Sequence, residues 1–143
     1  MTDDKHVVTA TRVTPDELRQ IEAEEREQAK SSRERARFAR QSFDHGRGDI
    51  KEAIARLARA FPSLDRADGV EPFDAHELAA WAKDGKSHGA ICTARFILSV
   101  WNSSEAKDEC YELPYFDLHE ALVVWDRHHQ QAFAGWAEEP WWP

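Results

Sequence analysis

The chain has 143 residues, of which 32% are charged and 41% hydrophobic, and its formal net charge at pH 7 is −8. This length suits one domain with one core, and six tryptophans and seven phenylalanines supply large apolar side chains for that core. The two cysteines lack CxxC spacing, which argues against a disulfide framework, and no apolar run reaches the roughly 18 residues of a membrane span. We therefore expect a cytoplasmic protein with reduced thiols and no membrane partner.

Net negative charge is concentrated in the last third of the chain. Residues 104–143 contain nine acidic and two basic side chains, so this segment carries −7 while the rest of the chain is nearly neutral. Such a field repels phosphate backbones and speeds the approach of a basic partner. We therefore expect no direct nucleic-acid binding by this segment, although the locally basic stretch 31–40 leaves that question open for the N-terminal part.

The N-terminal third is predicted to form one long charged helix. Residues 1–13 have no hydrophobic period and are predicted to be a disordered arm. The string TPDE that begins at Thr14 is typical of a helix start, because threonine can cap, proline suits the first helical position and glutamate completes a capping box. Within the segment 14–45, the helix is predicted to run over 15–44. Its thin apolar stripe predicts either the least integrated part of the fold or a pairing surface for a second copy of the chain.

The remaining segment, 46–143, is predicted to be a compact helical domain with an aromatic C-terminal tail. The spacing of apolar residues predicts a short helix at 50–61 and another that ends at Lys83. The apolar stretch 90–101 is long enough for a buried helix, although its β-branched residues leave a strand as the alternative. A final helix is predicted over 118–137, and its apolar residues are predicted to share one face: Leu118, Ala121, Leu122, Trp125, Ala132, Phe133 and Trp136. Together these elements predict an all-α fold with four to five helices around an aromatic core.

Two pentads, FDAHE at 73–77 and FDLHE at 116–120, share the pattern Phe-Asp-x-His-Glu. The aspartates Asp74 and Asp117 are predicted to be helix N-caps, whose carboxylates accept hydrogen bonds from exposed backbone N–H groups. The glutamate three positions later completes a capping box, and the preceding phenylalanine suits a hydrophobic staple. Local folding thus explains every shared residue except the histidine.

The histidines of the pentads leave a metal site as the alternative. Imidazole and carboxylate groups are common ligands of divalent metals, and two helix starts that converge would supply both. We favour capping because the sequence has no HExxH-type spacing. The alternative ligands are Asp74, His76, Asp117 and His119, together with the carboxylates of Glu77 and Glu120.

A second candidate pair of metal ligands is His88 and Cys92, which stand four residues apart and would share one helical face. Cys110 and a histidine of the last helix would complete four ligands. We favour a buried thiol and a surface imidazole, because free cysteines are most often core residues.

Asp126 and His129 stand three residues apart in the predicted last helix. His129 continues the apolar stripe of that helix and is predicted to be an imidazole at the margin of the core, held by a hydrogen bond. A general base or a metal ligand is the alternative.

The chain ends in two tryptophans between prolines, directly after two glutamates. Trp141 and Trp142 either fold back onto the body or stand out as anchors for another protein, since tryptophans with an acidic rim are typical of interface hot spots. We predict a partner-binding surface made of acidic and aromatic residues of the C-terminal segment: Glu112, Glu138, Glu139, Trp141 and Trp142.

The sequence carries no glycine-rich phosphate loop, GxSxG string or Rossmann fingerprint, so we predict neither a catalytic residue nor a cofactor. The favoured hypothesis is a non-enzymatic, small acidic protein-binding module that occupies a basic surface of a protein partner. An inhibitor, immunity or anti-defence protein of a phage or mobile element would act in this way. The alternatives are a metal-dependent enzyme or sensor built on the pentads, and a homo-oligomer paired through the helix at 15–44.

Overall fold

The computed structural model describes residues 12–44, 50–101 and 111–142. These residues form six α-helices and one short 3-10 turn at Pro62–Leu64. The helices, in chain order, are α1 (Pro15–Asp44), α2 (Ile50–Arg59), α3 (Ala75–Ala82), α4 (His88–Trp101), α5 (Leu118–Val124) and α6 (Arg127–Ala137). No strand occurs among the described residues, so the all-α prediction is confirmed there.

Two of the sequence predictions fall outside the described residues. The disordered arm was predicted over 1–13, of which only residues 12 and 13 are described. Cys110 also lies outside. None of the described helices is both long enough and apolar enough to cross a membrane.

The number of helices exceeds the predicted four to five because the helix predicted over 118–137 is two helices. Trp125 has an extended backbone, with φ −73° and ψ 137°, and ends α5. Asp126 then caps α6, since its carboxylate accepts a hydrogen bond from the backbone N–H of His129 at 3.0 Å. A third capping aspartate inside an apolar period therefore interrupts the helix, and sequence analysis missed it.

The first half of α1 begins as predicted but is exposed. The hydroxyl oxygen of Thr14 accepts a hydrogen bond from the backbone N–H of Glu17 at 3.1 Å. Every residue over 15–28 is exposed, and Leu18 and Ile21 are 51% and 46% exposed.

The second half of α1 packs closely against α6, so the expectation of a poorly integrated helix is wrong for this half. A Cβ atom added to Gly135 of α6 would lie 2.2 Å from the backbone oxygen of Arg33. The buried side chains of α1 are small and three or four positions apart, as helix faces in close contact require: Ala29, Ser32, Ala36 and Ala39.

The core is aromatic and surrounds Phe96 of α4. Its ring centroid lies 5.6 Å from that of Phe61, 5.3 Å from that of Phe133 and 5.1 Å from that of Trp136. Nine residues of α4 are buried, which makes it the central helix. The predicted aromatic core is therefore present, and α4 positions the polar groups described next.

Candidate functional site around helix α5

The aspartates of both pentads cap helices as the sequence predicts, but the capping box is not completed: the backbone N–H of Asp74 donates to the carbonyl oxygen of Gly69 at 2.8 Å, and the Glu120 carboxylate faces α4. The carboxylate of Asp74 accepts a hydrogen bond from the backbone N–H of Glu77 at 3.0 Å and caps α3. Asp117 makes the same contact with Glu120, also at 3.0 Å, and caps α5. The two aspartates therefore have local structural roles.

Among the described residues, neither pentad histidine belongs to a group of three candidate metal ligands. The ring of His76 packs against Tyr111, with 5.5 Å between the centroids, and His119 is exposed. Within the described ranges, one group of three metal-ligating side chains occurs, and it contains neither histidine and neither capping aspartate. The structure thus does not bring together Asp74, His76, Asp117 and His119.

That group consists of His88, Cys92 and Glu120. A further side chain of α4, that of Arg95, also contacts Glu120. His88 Nε2 lies 2.5 Å and Cys92 Sγ 3.7 Å from Glu120 Oε2. Arg95 Nη1 donates to both carboxylate oxygens, at 3.3 and 3.2 Å. The three α4 residues share one helical face because they are spaced four and three apart. We call His88, Cys92, Arg95 and Glu120 the Glu120 cluster.

Sequence analysis found half of this cluster. The spacing of His88 and Cys92 identified them as a possible ligand pair. Glu120 is favoured in the sequence as a capping residue, with a metal ligand beside the pentad histidines as the alternative, and Arg95 only interrupts the apolar stretch 90–101. No local pattern shows that the Glu120 carboxylate faces α4, because that depends on how the two helices pack.

Arg95 holds the chain segment that leads into α5. Its side chain is only 6% exposed. Besides Glu120, it donates hydrogen bonds to the carbonyl oxygen of Pro114, at 3.0 Å, and to that of Tyr115. These partners satisfy the buried guanidinium, which would otherwise be costly to remove from water.

The cluster shifts the pKa values of its acidic members in opposite directions. The hydrogen bond with His88 is the main cause that lowers the pKa of Glu120, burial opposes it, and Arg95 lowers it further. Burial, followed by the negative charge of Glu120, raises the pKa of Cys92 to about 11. In the absence of another ligand the thiol is therefore protonated at neutral pH and is a poor nucleophile.

A second polar contact joins α6 to the 3-10 turn. His129 Nδ1 lies 2.7 Å from Asp126 Oδ1, and His129 Nε2 lies 2.8 Å from the hydroxyl of Ser63. Burial raises the pKa of Asp126, but hydrogen bonds from the side chain and backbone of His129 bring it below its usual value.

Ser63, His129 and Asp126 are linked in the order of a Ser-His-Asp catalytic triad, but the histidine is buried. The imidazole is 8% exposed and lies 6.1 Å from the ring of Phe61 and 6.4 Å from that of Trp125, between centroids. We assign it the structural role that the sequence analysis favoured, an imidazole at the core margin held by hydrogen bonds.

Two of the three carboxylates predicted to bind a partner, those of Glu138 and Glu112, have contacts within the chain. Glu138 Oε1 lies 2.9 Å from Arg33 Nε and 4.0 Å from Arg37 Nε, both on α1. The Arg33 hydrogen bond is the main cause that lowers the pKa of Glu138. Glu112 pairs with Lys83 at 3.2 Å. The basic half of α1 is thus an internal counterpart of the acidic tail.

The two tail tryptophans differ in exposure. Trp141 is 3% exposed and folds back onto the body, where its carbonyl oxygen accepts a hydrogen bond from Trp136 Nε1 at 3.2 Å. Trp142 is 47% exposed, although its ring packs edge-on against Trp136 at 5.4 Å. Glu139 contacts α1 through its carbonyl oxygen, which accepts from Arg40 Nη1 at 2.7 Å.

Helix α5 presents an exposed apolar surface on the side away from α4. Ala121 is fully buried, Val124 packs against the core and Glu120 faces the cluster, whereas the other large apolar side chains of α5, and Tyr115 shortly before it, are exposed. Sequence analysis placed two of them on the buried face with Trp125, because it did not anticipate the break before α6. We call these residues the outer stripe of α5, and their exposures are 57% for Tyr115, 41% for Leu118, 44% for Leu122 and 72% for Val123.

Comparison of the chain with models of known protein families, with curated proteins and with solved structures finds no match. Function must therefore be argued from the residues themselves.

Proposed function

We propose that the protein is a protein-binding module and that it contacts its partner through the outer stripe of α5. The observation that carries this proposal is the exposure of four large apolar side chains within nine consecutive residues. Scattered exposed apolar residues are ordinary, whereas a contiguous group with a polar rim is typical of an interaction site.

The charge around the stripe favours a partner with an apolar groove and a basic rim. Asp117 and Asp126 lie at the two ends of α5, and the Asp126 side chain is 63% exposed. Residues 111–142 contain six acidic side chains and one arginine. Opposite charges at the rim raise the rate of association and exclude wrong partners. This charge favours a role in which the protein covers a basic face of a nuclease, toxin or defence protein.

The proposed contact surface lies on α5, whereas the surface predicted from the sequence lies mainly on the C-terminal tail. Glu138 is paired with α1, and Trp141 is enclosed, so neither is presented to a partner in this structure. Of the predicted surface, Trp142 is the large aromatic side chain that stays half exposed.

Site-specific photo-crosslinking in the native host tests the proposal. A photoreactive residue at Val123 should capture one discrete protein, and the same residue at Lys51, an exposed position of α2, should not. The variant Leu122→Ser/Val123→Ser should lose the binding of that protein, measured with purified components. Raising the salt concentration should slow association.

The matched control is Leu18→Ser/Ile21→Ser, which removes two exposed apolar residues from α1. This control should bind the partner as the wild type does. Equal capture at both crosslinking positions would refute the proposal. Capture of a second copy of the chain, or loss of binding in the α1 variant, would favour the homo-oligomer paired through α1 instead.

A further inference from the structure

We propose that His88, Cys92 and Glu120 form a binding site for a divalent transition-metal ion, and that zinc suits it best. This inference is independent of the outer stripe and of any partner. The three side chains offer an imidazole nitrogen, a thiolate sulfur and a carboxylate oxygen, which are the ligand types that zinc uses in proteins. These ligand atoms all lie within 4.8 Å of one another.

The distances suit a tetrahedral ion after one small adjustment. Ligands at the usual zinc distances lie about 3.3–3.5 Å from one another in a tetrahedron. Cys92 Sγ and Glu120 Oε2 are already 3.7 Å apart. His88 Nε2 and Glu120 Oε2 are 2.5 Å apart and must separate to admit an ion. The His88 side chain is 56% exposed and can rotate to do so.

The scaffold around the three ligands is largely in place. His88 and Cys92 lie one turn apart on α4, so the helix sets their relative position. Arg95 contacts both oxygens of Glu120 and orients the carboxylate, as outer-shell partners of metal ligands do. With the thiol ionised, the two anionic ligands offset the charge of a divalent ion, leaving the positive charge of Arg95. Among the residues that the structure describes, the site has three protein ligands, which leaves the fourth position for water, as in catalytic zinc sites.

The test is metal binding by the purified full-length chain. Zinc content and competition with a chromophoric chelator should show one ion per chain. Cobalt(II) in place of zinc should give the absorption bands of a tetrahedral ion and a thiolate-to-cobalt charge-transfer band. The variant His88→Gln should weaken zinc binding at least about ten-fold, since even an outer-shell change costs that much. The variant Cys92→Ser should remove the charge-transfer band.

Three control variants separate this site from the other candidates. His76→Gln and His119→Gln change the pentad histidines and should bind zinc as the wild type does. Cys110→Ser changes the other thiol and should keep the charge-transfer band. His88 is exposed, so His88→Gln tests the site even if Cys92→Ser does not fold. Absence of saturable binding would overturn the proposal, as would binding that is lost in a control variant rather than in His88→Gln.

Discussion

Gly135 is the residue at which α1 and α6 come closest. Any side chain there would meet the backbone of Arg33, whose carbonyl oxygen would lie 2.2 Å from an added Cβ atom. Backbone atoms cannot rotate away as a long side chain can, so the two helices would have to separate. The side-chain-free position is therefore a packing requirement of this helix pair.

We predict that Gly135→Ala destabilises the protein by about 1–3 kcal/mol, the usual cost of overpacking. The control is Gly89→Ala, also in a helix, where an added Cβ atom would come no closer than 3.7 Å to the oxygen of Val124. There alanine should be neutral or should stabilise by about 0.5–1 kcal/mol through its better helix propensity. Urea unfolding of both variants measures the difference, and equal effects would contradict the close packing of α1 and α6.

Thr93 is a fully buried hydroxyl with three partners, one of which is the Ser63 hydroxyl at 3.3 Å. Thr93 also donates to the carbonyl oxygen of Gly89 at 2.7 Å and accepts from Trp125 Nε1 at 2.8 Å. The contact with Trp125 links α4 to the residue at which α5 ends. It therefore helps to hold the break between α5 and α6 in place.

We predict that Thr93→Val destabilises the protein by about 1–3 kcal/mol, because the indole N–H of Trp125 loses its acceptor in the core. The control is Ser99→Ala, which removes another α4 hydroxyl that donates to the carbonyl oxygen of Phe96 at 2.6 Å. That change should cost less than about 1 kcal/mol, since no buried donor is left behind. Thermal unfolding followed by tryptophan fluorescence measures the stability of both variants. Nearly equal losses of stability would count against this role for Thr93.

At the scale of elements, capping aspartates decide where the short helices start. Asp74, Asp117 and Asp126 each accept a hydrogen bond from the backbone N–H three residues on, at 3.0 Å. The first two were predictable because a proline lies shortly before each and a glutamate follows at the capping-box position. Asp126 was not, because its neighbours continue an apolar helical period.

We predict that Asp74→Ala destabilises the protein by about 1 kcal/mol, while Asp74→Asn has little effect because asparagine caps equally well. The neighbouring His76→Gln should change stability by no more than about 0.5 kcal/mol, as expected for an exposed residue. Chemical unfolding of the three variants measures these differences. An effect of His76→Gln as large as that of Asp74→Ala would show that the pentad does more than start a helix.

The Glu120 cluster and the outer stripe show where prediction from sequence stops. The helices follow from caps and periodicity, which are local. Which face of α5 meets α4 depends on the bend at Trp125 and Asp126, and thus on contacts such as the one from Trp125 to Thr93. A single unanticipated break consequently turned Leu118 and Leu122 from core candidates into surface residues.

For the molecule as a whole, the contact between α1 and the tail combines packing with charge. Arg33 and Arg37 face Glu138, and Arg40 binds the carbonyl oxygen of Glu139. The acidic C-terminal part and the basic stretch 31–40 looked unrelated in the sequence. In the fold these two segments are neighbours, so opposite charges that are far apart in the sequence meet.

We predict a loss of stability at acid pH that depends on Glu138. Its pKa is lowered below the ordinary value of 4.5, mainly by the Arg33 hydrogen bond. A carboxyl group shifted in this direction stabilises the fold above its unfolded pKa, and the contribution disappears as the pH falls through the lower, folded value. Glu138→Gln should therefore be less stable than the wild type at neutral pH and should lose less stability on acidification.

The control for this pH effect is Glu139→Gln, because Glu139 contacts α1 through its backbone carbonyl. Unfolding measured between neutral pH and pH values below 4.5 should give the wild-type slope for this variant. Parallel curves for the wild type and Glu138→Gln would contradict the assignment of the ion pair.

The pairing of α1 with α6 also determines when the protein can complete its fold during synthesis. Arg33 and Glu138 lie 105 positions apart, so α1 leaves the ribosome long before the helix that covers it has been translated. Until then, the face of α1 that packs against α6 lacks its partner helix, and Arg33 lacks Glu138. Premature termination anywhere ahead of residue 127 would leave this face of the nascent chain uncovered, so even a short C-terminal truncation should yield a fragment that is prone to proteolysis.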